Sequence, residues 1–194
     1  MQRRRFDKIV SWVGVTLAAL LLVAGSLLTW AHNFVGNEVH DQLSAQQIYF
    51  PTNSDPELKQ PEFAAVRQYA GQQLTTGAQA EVYADHFIAN HLKAIGGGQT
   101  YAQLSAQAQK SPDDQALAGK VATMFKGETL RGLLLNAYAF GTMATIAGIA
   151  AIVSFVAAAG LILLGFLGLW HSGRVKDETI TLPSQAKTPA VAVS

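Results

Sequence analysis

The chain has 194 residues, 49% hydrophobic and only 14% charged, with 14 basic and 13 acidic side chains and no cysteine. Disulfides and thiolate metal sites are excluded by that composition, and a net charge of +1 leaves no basic footprint for nucleic acid. So few charges beside two long apolar runs mark a membrane protein rather than a soluble domain.

The charge is unevenly spread. Residues 1–31 carry a net +3, residues 32–132 a net −3 and residues 133–194 a net +1. Arg3, Arg4, Arg5 and Lys8 precede the first apolar run, and Arg174 and Lys176 follow the second. By the positive-inside rule both termini are cytoplasmic and the middle lies outside a cell (plasma) membrane crossed twice.

The first apolar run, residues 9–30, is longer than the 7–15 residues usual for a cleaved signal, so an uncleaved anchor is expected. Val35, Val39 and Leu43 continue it as a helical stripe, which predicts one helix from about Phe6 to Gln46 with its outer part packed on protein. Ile48, Tyr49 and Phe50 then read as extended, because the residue before Pro51 avoids the α region. After a loop from Thr52 to Ser54, Asp55 caps a short helix with Pro56 at its first position. Pro61 opens another, carrying Phe63, Val66 and Tyr69 and ended by Gly71.

Thr76 with Gln79 is a capping box; it predicts a helix with Val82, Ile88, Leu92 and Ile95 inward, stopped by Gly96, Gly97 and Gly98. Thr100 with Gln103 repeats the box ahead of Leu104. Ser111 is expected to cap a third start, with Pro112 at the first helical position and Asp113 and Asp114 in the first turn. Leu117, Val121, Met124 and Phe125 follow, and Gly127 predicts a kink or short break.

Between Arg131 and Arg174 lie 42 residues without an Asp, Glu, Lys or Arg. One crossing needs about 20. A hairpin of two spans would lack a polar turn and would put Arg174 outside. One long helix is therefore expected, mixed in character through Asn136, Tyr138, Thr142 and Thr145, and spanning from about 146 to 170. The predicted fold is all-α: two long transmembrane helices flanking a small extracytoplasmic helical domain. Residues 1–31 are the basic N-terminus and first span, 32–132 the outer domain, 133–173 the second long helix, and 174–194 a cytoplasmic tail with the composition of a disordered segment.

Gly14, Ala18, Gly25 and Thr29 share a face of the first span, and Gly141, Ala144, Gly148 and Ala151 a face of the second. Small residues at such spacing let membrane helices approach closely, with each other or across a homo-oligomer. Beyond the outer surface the two helices are expected to pair, with Val35, Val39 and Leu43 against Leu130, Leu134 and Tyr138.

Candidates for chemistry are few. His86 and His91, with Glu81 or Asp85, invite a metal, but a five-residue offset puts the two rings about 140° apart on an α-helix. No ionisable group lies at lipid depth, which disfavours a pump or proton relay. No catalytic residue, cofactor or metal is expected, and the chain reads as a non-enzyme. Its partners would be membrane lipid and a protein partner or second copy, in the role of an accessory subunit, assembly factor or cell-envelope scaffold. The alternative is a sensor that binds a lipid or small molecule in an apolar groove between the outer helix extensions.

Val39, His40, Asp41, Gln42 and Leu43 leading into Ile48, Tyr49, Phe50 and Pro51 form the first of four characteristic segments. The others are Tyr83 to Ile88, Thr100 to Leu104, and Gly127 to Tyr138. Together they resemble an uncharacterised group of actinobacterial membrane proteins over roughly residues 6–175. Proteins of that group are often labelled aromatic ring-opening dioxygenase. The resemblance implies a two-span membrane protein. The label would require two His and a carboxylate on one face of an iron, which the offset of His86 and His91 opposes.

Overall fold

In the computed structural model, which describes residues 3–174, all regular structure is helical apart from one isolated antiparallel bridge between Tyr49 and Gln73. The tail of residues 175–194, expected to be disordered, lies outside the described residues. Helix α1 is Arg3–Ala45, starting three residues before the expected Phe6. Three 3-10 turns follow, Pro56–Lys59, Pro61–Phe63 and Val66–Tyr69. Helix α2 is Gly77–Val82, a π-helical segment Tyr83–Ile88 continues it, and α3 is Ala89–Gly96. Helix α4 is Tyr101–Lys110 and α5 is Gln115–Arg174. Helices α1 and α5 are both long and apolar enough to cross a membrane.

The caps explain most boundaries. Thr76 and Thr100 each accept from the backbone N–H three residues on, while the Gln79 and Gln103 side chains return to the cap backbone. Asp55 accepts from Glu57 N at 3.0 Å with Pro56 behind it. Gly97 and Gly98 take φ of 61° and 82°, the left-handed geometry that ends α3.

Four expectations are corrected. The cap of α5 is Asp114, whose Oδ1 accepts from Leu117 N at 2.9 Å; Ser111 instead closes α4, its N–H donating to Ala108 O. Gly127 makes no break in α5; a side chain there would collide with Leu92, so the glycine lets α3 lie against α5. The helix expected from Pro61 to Gly71 is split into two 3-10 turns. Ile95, expected inward, is 37% exposed; the π segment adds a residue to one turn of the helix and so rotates everything after it.

The chain divides into two units. The first comprises residues 3–22 and 155–174 of the described chain. Here Ser11 is buried against Gly168, Val15 lies over Gly165, and Ala18 and Ala158 are fully buried. The second is Val23–Ser154. Its main core gathers Leu43, Phe50, Leu58, Phe63, Val66, Leu74 and Leu134, and a smaller cluster holds Leu92, Leu104 and Met124.

Candidate functional site: an apolar groove between α1 and α5

Within Val23–Ser154 the facing stripes of α1 and α5 meet only in part. Leu43 and Leu134 are buried in the common core, with Val39 packed on its edge. Val35 and Leu130 do not close on each other. They line a groove of about 650 Å³ that runs from Phe34 and Phe140 to Ile48, Tyr83 and Ile88. That volume falls within the 300–1,000 Å³ range typical of small-molecule sites.

The groove's floor is Val39, Leu43, Leu134 and Ala137. One rim is polar: Glu38 and Gln42 lie four residues apart on α1, Gln46 follows in the turn after it, and the Gln42 amide donates to the Glu38 carboxylate. The opposite rim, on α5, carries Leu130, Leu133 and Phe140, 52%, 60% and 55% exposed, with the exposed Asn136 as its one polar side chain. Exposed apolar side chains gathered beside a cavity make this groove the candidate site. Among the described residues Glu38 is the only charged one in the lining.

The end wall comes from the π segment. Its wider turn carries Tyr83 and Ile88 into the groove while Ala84 packs into the core. Tyr83 stands edge-on to Phe50, centroids 5.2 Å apart, and beside Phe87 at 4.7 Å. Burial pushes its phenol above the ordinary value. Arg131 fastens the segment to α5, donating through Nη2 and Nε to Asp85 Oδ1 at 2.7 and 3.1 Å. The hydrogen bond to Asp85 is the main reason the guanidinium's own proton affinity is raised.

Two of the histidines, His91 and His32, hold structural contacts. His91 Nδ1 lies 2.7 Å from Phe87 O and Nε2 2.8 Å from Glu57 Oε1, with the ring packed on Phe63 and Phe87. Both contacts are hydrogen bonds only when the ring is an imidazolium, since a neutral ring has one N–H. His32 donates from Nδ1 to Ala144 O at 2.7 Å and lies over Gly148. His86 lies within the π segment and His91 beyond it in α3, so a uniform α-helical angle does not describe the offset between them. Among the described residues no group of three or more His, Cys, Asp or Glu could hold a metal ion.

The remaining residues expected at helix contacts are dispersed. Gly14 faces the Leu161 backbone, and Gly25 is buried and accepts from the Thr29 hydroxyl at 2.8 Å. Tyr138 and Gly141 lie against Gly77 of α2, so Gly141 seats a short helix rather than α1. Sequence reasoning missed Ile48, Tyr83 and Ile88 as groove residues; their only signal was apolar character in segments flanking a loop and a helix.

No family model, no curated protein and no solved structure matches this chain.

Proposed function

We propose that the chain is a two-span protein of the cell membrane, with both termini cytoplasmic and residues 32–132 outside, that acts by binding an apolar ligand in the groove between α1 and α5. The observation that carries this reading is the groove itself, about 650 Å³ with one charged residue in its lining. Exposure of the long helices supports the membrane placement. Only 17% of the most apolar window of each is buried, unlike the core helix of a soluble protein. The basic residues beyond each span support the orientation.

A scaffold or assembly factor whose partner is a protein remains the broader form of the same non-enzymatic reading. The groove shifts the weight to a small apolar ligand. The ring-opening dioxygenase label of the proteins this chain resembles does not enter the proposal.

Two measurements test it. A cysteine at Ser105 should react with an impermeant thiol reagent in intact cells and one at Ser184 should not; labelling at Ser184 would sink the topology. A solvatochromic apolar dye should bind the detergent-purified protein, and Leu130→Gln with Leu133→Gln should abolish its signal. Equal dye binding by both proteins would remove the groove from the reading.

A further inference from the structure

We infer that the groove takes one acyl chain of a zwitterionic, ammonium-bearing phospholipid drawn from the outer leaflet, with its headgroup beside Glu38. This rests on the binding function proposed above and names the ligand.

Charge selects the headgroup. Among the described residues Glu38 is the sole charge in the lining, and the lining holds no cation beside it. An anionic headgroup, or the carboxylate of a free fatty acid, would meet a like charge with nothing to offset it. An ammonium finds a carboxylate, and the Gln42 and Gln46 side chains on the same rim add acceptors for its N–H groups.

Length selects the chain. From Phe34 to Leu43 the groove follows α1 for nine residue steps, about 14 Å at 1.5 Å per residue. One leaflet is half of a hydrocarbon core of about 30 Å, so an outstretched acyl chain covers about 15 Å. The floor of Val39, Leu43, Leu134 and Ala137 offers that chain no polar group.

The mouth selects the source. Phe34 and Phe140 stand at the end of the groove nearest the spanning stretches. Trp30 stacks on Phe34 at 5.4 Å, as an aromatic pair at a membrane interface would. Leu27, Met143 and Ile146, the next large side chains along α1 and α5, are 60–63% exposed on the surfaces assigned to lipid. A chain can leave the bilayer past Phe34 and Phe140 and reach the floor with Asn136 as the one polar side chain of α5 along the way.

The test uses the full chain in vesicles of phosphatidylethanolamine and phosphatidylglycerol. Each sample carries a trace of one or the other lipid with a diazirine in its acyl chain, and labelled peptides are mapped by mass spectrometry. Ile48, Tyr83 and Ile88 belong to neither span, so label there reports the groove. The ethanolamine probe should label them about threefold more than the glycerol probe, the scale of one exposed ion pair. Glu38→Gln should level the two. Leu130→Gln with Leu133→Gln, both on exposed rim positions that a folded chain tolerates, should lower both by about tenfold.

Equal labelling by the two probes in the wild type, label confined to residues 9–30 and 146–170, or a polypeptide crosslinked into the groove would each overturn the inference. If the dye still binds in a Leu130- and Leu133-dependent way while the phospholipid does not label, only the lipid assignment falls. If neither occupies the groove, the binding function falls with it.

Discussion

Two stretches of the α1 and α5 surfaces within Val23–Ser154 differ in what lies between them. At Gly148 the helices touch: the His32 ring lies over the glycine and donates to the Ala144 carbonyl, and Ala144 and Ala151 are buried. Toward the start of α5 and the end of α1, Val35, Val39, Leu130 and Leu134 line an open groove between the helices. Side-chain size decides the outcome. Glycine and alanine let backbones meet. Valine, leucine and phenylalanine hold them apart, and the short helices fill only part of the space.

The largest effect should come from breaking the one point where the wider stretch does close. Leu134 is 4% exposed in the core, whereas its neighbour Leu133 is 60% exposed on the rim. Leu134→Asp loses the leucine's packing and buries a carboxylate, and should cost more than about 3 kcal/mol in urea unfolding of the detergent-solubilised protein. Leu133→Asp should cost less than about 1 kcal/mol. Similar costs for the two would mean that α1 and α5 do not share a core.

The close stretch can be tested from the opposite direction, by adding bulk. Gly148→Leu must displace the His32 ring and should destabilise by about 1–3 kcal/mol. Gly132, with nothing within 4 Å of an added Cβ, should gain about 0.5–1 kcal/mol as alanine, from helix propensity alone. A neutral Gly148→Leu in thermal melts would show that small residues do not set the approach.

How much of this was legible beforehand depends on how local the signal is. The boxes at Thr76 and Thr100 and the glycine stop at Gly97 are complete within four residues, and they appear as read. The stripe of Val39, Leu43 and Leu134 was legible because periodicity reports burial. Ser111 and Asp114 both have capping side chains at plausible spacing, and only the fold of the turn decides for Asp114. Gly127 reads as a breaker because its partner, Leu92, is distant in sequence. The π segment carries no signature, since Tyr83 to Ile88 would sit equally well in an α-helix; it is held by Phe50, Phe63 and Arg131 from elsewhere. The groove's end wall depends on that segment, so the groove was foreseeable as a seam between helices but not as a closed-ended site.

A smaller effect is expected at the clamp that holds the end wall to α5. Arg131 and Asp85 are about one third exposed, 34% and 37%, so solvent screens most of their attraction. A double-mutant cycle with Arg131→Met and Asp85→Asn should give a coupling of about 0.5–1 kcal/mol, shrinking as salt is added. A coupling near zero would leave the aromatic contacts alone to position the π segment.

The smallest effect belongs to Tyr83, where the closed end of the groove meets the core. Burial raises its phenol above the ordinary 10.0, because the phenolate would lose water there. The sign follows from proton counting. With the folded value above the unfolded one, the folded chain holds the proton over the interval between them, so stability is intact below pH 10 and falls as pH rises through the folded value. Tyr83→Phe keeps the ring beside Phe50 and Phe87 and removes the titrating group. Its melting temperature should therefore decline less steeply than the wild type's above pH 10, while the two coincide in slope at neutral pH. Parallel curves through the alkaline range would mean that the phenol stays in water when the chain folds, and that the groove is open at the end where Tyr83 stands.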